Sequence, residues 1–108
     1  MDPVSYDDFK KLELRVAKVL SVENHPNADK LYVLKIDLGG VERQIVAGVK
    51  PFMGPERLLG RQVIVVANMA PAQIRGVESN GMMLAVTSGT EVNLVVPEKE
   101  SVVGSVVK

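Results

Sequence analysis

The sequence predicts an all-β domain, a small five-stranded barrel with a short helix between its third and fourth strands and a C-terminal β extension. Three observations carry that expectation. The run Val63-Ile64-Val65-Val66-Ala67 is wholly apolar and rich in β-branched residues, which suits a strand buried on both faces, and Gly81-Met82-Met83-Leu84-Ala85-Val86 offers a second apolar run after a polar loop. Tyr32, Leu34, Ile36 and Leu38 fall on one face and Lys35 and Asp37 on the other, and Gly39-Gly40 then reverses the chain into a strand from Glu42 to Val49. At 108 residues and 11.7 kDa there is room for one core. The expected domain is therefore 1–108, with a barrel over about 12–87 and an extension over about 88–108.

Each element has its own signal. Ser5-Tyr6-Asp7-Asp8-Phe9-Lys10-Lys11 reads as one helical turn, with Ser5 as N-cap, acids first and lysines last, and it is expected to plug one edge of the barrel. From Leu12 to Glu23 the apolar positions Leu12, Leu14, Val16, Leu20 and Val22 are interrupted by Lys18, while Ala17 and Val19 fill the other face; a bulge near Ala17 accounts for the change. Asn24-His25-Pro26-Asn27-Ala28-Asp29-Lys30 is a cluster of turn formers in which His25 is a loop residue. Lys50-Pro51-Phe52-Met53-Gly54-Pro55 breaks the sheet, and Pro55 to Gly60 makes one turn of helix with proline at its start and glycine at its end. The two central strands are expected at Val63 to Met69 and Gly81 to Val86, both buried. Valine-rich runs from Val92 to Val96 and Val102 to Val107 follow.

Composition removes several classes of function. Without cysteine there is no disulfide or thiolate metal site, and the lone His25 cannot build a zinc site, so neither metal nor other cofactor is expected. No apolar stretch is long enough for a membrane helix, and Met1-Asp2-Pro3 does not open a signal peptide, so the expected compartment is the cytoplasm. Thirteen basic residues balance thirteen acidic ones, so attraction to a polyanion must come from a local patch. Tyr6, Phe9, Tyr32 and Phe52 are the only aromatics, too few to stack a flexible single strand. No nucleophile-base pair, carboxylate pair or phosphate loop supports an enzyme, and Asp7-Asp8 is helix-start chemistry.

Five strands with a small helix between the third and fourth is the order of the oligonucleotide/oligosaccharide-binding barrel, the OB-fold. Ligands of that fold lie against strands two and three, flanked by the loops after strands one and four, which here are Asn24 to Lys30 and Ala70 to Asn80. Lys30, Lys35, Arg43 and Arg75 are thereby expected on one side of the barrel. With its flanks, Asn68 to Gly81, the second loop holds amides, a guanidinium, a hydroxyl and two glycines, and is longer than a chain reversal needs. It is either an irregular cover for the barrel end or a binding element.

His25-Pro26-Asn27-Ala28-Asp29-Lys30-Leu31, Leu14-Arg15-Val16-Ala17-Lys18-Val19, Asn68-Met69-Ala70-Pro71 and Arg75-Gly76-Val77-Glu78-Ser79-Asn80-Gly81-Met82 together resemble the structure-specific tRNA-binding domain family. That family occurs as a C-terminal extension of methionyl-tRNA synthetase and as a free-standing dimeric protein. The resemblance implies an OB barrel that binds the outer corner of folded tRNA, a C-terminal addition used for homodimerisation, and binding residues at Asn68, Arg75, Ser79 and Met82. It also implies a methionyl-tRNA synthetase catalytic domain as a partner and no catalysis by this chain. Two departures stand out: Ala70-Pro71-Ala72-Gln73 replaces a common K-P-x-K and loses two cations, and Ala17 replaces a common glycine.

The residues suit shape recognition of folded RNA, in which amides, hydroxyls and arginine meet backbone and 2′-hydroxyl oxygens. Asn68 and Ser79 suit sugar and phosphate oxygens, Arg75 a bidentate phosphate contact. Each has a plainer alternative: Asn68 as a backbone clamp, Ser79-Asn80-Gly81 as turn chemistry, Met82 as core or interface. Related barrels that act as export-associated chaperones give a competing reading, a peptide-binding module, which the neutral charge and missing lysines suit.

Overall fold

The computed structural model describes Met1–Lys108. A helical turn, α1 (Tyr6–Lys10), leads into β1 (Leu14–Asn24), β2 (Tyr32–Asp37), β3 (Glu42–Ala47) and β4 (Gln62–Val66). A short hairpin of β5 (Ala72–Ile74) and β6 (Val77–Ser79) precedes β7 (Met82–Met83), a second hairpin of β8 (Ala85–Ser88) and β9 (Glu91–Leu94), and finally β10 (Val106–Val107). The main sheet runs in the order β3-β2-β1-β4-β7, with β10 added to β1. Its open side closes where the Asn80 N–H donates to the Gln44 carbonyl at 2.8 Å and the Val46 N–H donates to Ser79 Oγ at 3.0 Å.

The long β1 serves two partners in turn. Leu14 to Lys18 pair with β4 and Lys18 to Asn24 with β2, and the register slips between Val19 and Ser21. The bulge is thus at Leu20, not near Ala17. Ala17 and Val19 both point into the core by ordinary alternation, and the extra residue is needed only beyond them, to turn Val22 inward. The β2–β3 hairpin turns on Gly39 and Gly40, at φ +92° and +93°, with both of their N–H groups donating to Asp37 Oδ1. Leu34, Ile36, Ile45, Leu58, Val63 and Val65 are fully buried, each worth about 1.5–3 kcal/mol over exposure.

Three local expectations need correction. The helix between the third and fourth strands is a single 3₁₀ turn, Pro55–Arg57, which has proline first and seats Leu58 in the core. The turn α1 forms as read, with Ser5 Oγ accepting the Asp8 N–H at 3.1 Å, but it buries none of its residues and plugs nothing. Five residues make too little face to cover a barrel end, and Tyr6 and Phe9 stay exposed. Finally, of the strand expected from Val63 to Met69, β4 ends at Val66 and burial at Ala67, with Asn68 and Met69 exposed beyond it, and Gly81 to Val86 is not one buried strand. Only Met82 and Met83 pair with β4; Ala85 to Ser88 are exposed and pair with β9. The reason lies on the edge of β4: Leu84 donates to the Ile64 carbonyl, and the Ile64 N–H is taken by the Val95 carbonyl, so the chain past Leu84 has no ladder left to extend.

The C-terminal residues lie over the outer face of β1 and β4. Val16 donates to the Ser105 carbonyl and accepts from the Gly104 N–H, and Val16, Ile64 and Val66 are buried although they face away from the main core cluster. Gly104 packs so close to the β2–β3 turn that a Cβ there would come within 2.6 Å of the Leu38 carbonyl oxygen. Val92 enters the core itself, yet Val96, Val102 and Val106 remain exposed. Part of the valine-rich extension therefore completes the barrel, and part faces outward.

Candidate nucleic-acid interface

The stretch read as one long loop is an ordered hairpin. Ile74 pairs with Val77, and the two residues between them turn with φ +52° at Arg75 and +88° at Gly76. Arg75 is the chain's single non-glycine residue in the left-handed region, a conformation that costs an ordinary residue roughly 1–2 kcal/mol and that Asn, Asp or Gly would take more readily. Its side chain projects from an exposed tip. One Nη2 hydrogen bond, 3.2 Å, goes to the Asn27 carbonyl, which leaves most of the guanidinium donors open.

The hairpin leans on the loop between β1 and β2. His25 Nε2 lies 2.8 Å from the Ile74 carbonyl oxygen, and Asn27 Nδ2 donates to the Arg75 carbonyl at 3.1 Å. Lys30 follows in that same loop and is exposed. Lys35 lies on the outer face of β2 opposite Gln44, whose side-chain amide donates to the Glu78 carbonyl of β6. Arg75 is thus at the hairpin's tip, Lys35 next to the residue that anchors β6, and Lys30 in the loop whose His25 and Asn27 touch the hairpin. None of these cations has a carboxylate partner, since the ion pairs are confined to Lys10–Asp7, Lys11–Asp8 and Arg15–Glu13. Exposed Glu23, Asp29 and Glu78 lie in the same loops and strands, so the surface carries unpaired charges of both signs.

Arg43 does not join that group. It pairs with Ile36, so alternation turns it to the face opposite Lys35, where its guanidinium donates to the Ala67 carbonyl. Asn68 sits at the root of the hairpin, where Oδ1 accepts the Glu13 N–H at 2.8 Å and Nδ2 donates to the Lys11 carbonyl at 2.6 Å. Its amide clamps the N-terminal segment. Ser79 is turned inward and buried, with its hydroxyl accepting from Val46 and donating to the Gly81 carbonyl at 3.2 Å, so it shapes the hairpin from below. Met82 is 44% exposed and, with Met69, Ile74 and Met83, lines a mainly apolar groove of about 320 Å³ beneath the hairpin. It is not core. Two residues absent from the sequence-based site, His25 and Asn27, prove to be the contacts between the loops. The spacing of 49 residues from His25 to Ile74 gave no local signal for them.

The family model described as "Putative tRNA binding domain" matches residues 14–106. The methionine–tRNA ligase of Thermococcus kodakarensis is 52% identical over 105 residues, 97% of this chain and 14% of the ligase. The chain thus spans about one seventh of that relative's length, the size of an appended, non-catalytic domain. Among solved structures, a MetRS-related protein from Pyrococcus horikoshii superposes with a TM-score of 0.93 at 34% identity, covering all of both chains. The CsaA chaperone protein of Picrophilus torridus superposes with a TM-score of 0.90 at 27% identity, over 98% of this chain and 100% of the other. With a family match over most of its length and this degree of identity to its relatives, the chain belongs to the tRNA-binding domain family.

Proposed function

We propose that the domain binds folded tRNA on the surface made by the β5–β6 hairpin and the β1–β2 loop. Arg75 makes the principal phosphate contact, Lys30 and Lys35 flank it, and Met82 offers apolar contact in the groove below. Asn68, Ser79 and, further back, Arg43 hold the root of the hairpin. The observation that carries this reading is an arginine at the tip of a tight turn, in a backbone conformation that favours other residues, with its guanidinium largely free. Such a unit reads backbone position, not base sequence. Acting in the cytoplasm, it raises the local concentration of tRNA for a methionyl-tRNA synthetase, to which it is joined or docked. The exposed Val96, Val102 and Val106 pair two copies into a homodimer, which doubles the phosphate contacts and offsets the missing lysines at Ala70 and Gln73.

The apolar groove, together with the likeness to CsaA, favours one second reading, the capture of unfolded peptide. Titration with tRNA, a single-stranded RNA of equal length and an unfolded apolar peptide separates the two. The proposal expects tRNA to bind most tightly; equal affinity for both RNAs, or peptide binding alone, contradicts it.

A further inference from the structure

We infer that His25 and Asn27 are positioning residues, a latch between two loops that presets Arg75 for its phosphate. His25 is only 5% exposed although Pro26 and Asn27 beside it are exposed. Its Nδ1 accepts the Asn27 N–H at 2.9 Å, so the neutral ring carries its proton on Nε2, which donates to the Ile74 carbonyl at 2.8 Å. Asn27 then holds Arg75 twice, by Nδ2 to the Arg75 carbonyl at 3.1 Å and by its own carbonyl to Arg75 Nη2 at 3.2 Å. Four hydrogen bonds thus bind residues 25–27 to one another and to residues 74–75.

The chemistry explains why a histidine is used. An Asn at position 25 would accept the Asn27 N–H in an Asx-turn but would be too short to reach the next loop. The imidazole has a nitrogen on each side and does both. A lone pair of three-residue strands would be marginal by itself. An arginine on a loose hairpin would lose more conformational freedom on meeting a phosphate than one already held. The latch removes part of that cost before RNA arrives.

This inference rests on the hairpin being the tRNA contact, and the test keeps the two apart. In the full chain, His25→Asn, which retains the local turn and cuts the link to Ile74, and Asn27→Ala, at an exposed position that leaves the fold intact, are each measured alone and in an Arg75→Ala background. Each is expected to weaken tRNA binding by about three- to tenfold alone and to have no further effect once Arg75 is gone. Equal losses in both backgrounds would overturn the inference, because His25 and Asn27 would then act independently of Arg75. If Arg75→Ala binds tRNA like the parent, the interface reading fails, and the latch is judged without RNA. Long-range ¹H–¹⁵N spectra should then show the Nε2–H tautomer, and Arg75 Nε–H should lose order in His25→Asn. A ring protonated on Nδ1 alone, or an Arg75 equally ordered in both proteins, overturns the latch.

Discussion

Ser79→Ala separates a residue that touches RNA from one that builds the platform. The hydroxyl completes the closure of the barrel, standing where a backbone carbonyl would accept the Val46 N–H. Removing it strands that partly buried donor and takes a hydrogen bond from the Gly81 carbonyl. An unsatisfied donor costs about 1–3 kcal/mol, and partial burial places the total near 2 kcal/mol. The deleted atom is small and opens no cavity of consequence. Against a total stability of about 5–15 kcal/mol this is a large fraction, and for a domain of this size it lowers the melting temperature by about 10 °C. Thermal denaturation followed by circular dichroism reads it directly. Ser101→Ala, whose hydroxyl bond to the Lys99 carbonyl is exposed, is the control and should shift stability by less than about 0.5 kcal/mol. A Ser79→Ala protein that melts with the parent would refute the closure described here.

Three further predictions address the rest of the molecule. Gly104→Ala puts a side chain at φ +93° and 2.6 Å from the Leu38 carbonyl oxygen, so it should lift the C-terminal segment, cost about 2 kcal/mol or more, and accelerate amide exchange at Val16. Unchanged exchange at Val16 would show the tail is not held there. Val65→Asp places an unpaired charge at a fully buried position and should prevent folding, which a sharp two-state melt of that variant would contradict. Val106→Glu should convert the proposed dimer to an 11.7 kDa species in sedimentation at micromolar concentration without unfolding it; a parent already monomeric there would dismiss the dimer.

Much of the barrel was legible because its rules are local. The apolar run at β4, the paired glycines between β2 and β3, and Ser5 ahead of two acids all declare themselves within a few residues. The two-residue turn at Gly39-Gly40 even fixes the register that sets Lys35 opposite Gln44, and so puts Arg43 on the other face. Following that register would have removed Arg43 from the cationic group. The apolar run after Gly81 misled because hydrophobicity does not say whether a residue is covered by its own chain. Met82 and Val86 are apolar and half exposed; the pairing with β4 stops after Leu84 because the Ile64 N–H is taken by Val95, nine residues beyond Val86, which no pattern within the run announces. The roles of Ser79 and His25 likewise depend on contacts made 33 and 49 residues away. No spacing within either motif reveals those contacts.

The central claim, that Arg75 makes the main charged contact with folded tRNA, is tested most directly by titrating parent and Arg75→Ala proteins with tRNA over a series of salt concentrations. With Ala70 and Gln73 uncharged, Arg75 is the single cation between Asn68 and Met82, so no neighbour in the hairpin can substitute for it. A charge-assisted hydrogen bond contributes about 1.5–3 kcal/mol, so affinity should fall about tenfold or more. The slope of log affinity against log salt should also shrink by about one phosphate contact per site, while the melting temperature stays near the parent's. An Arg75→Ala protein with the parent's affinity and salt slope would contradict the account and move the tRNA surface elsewhere on the domain.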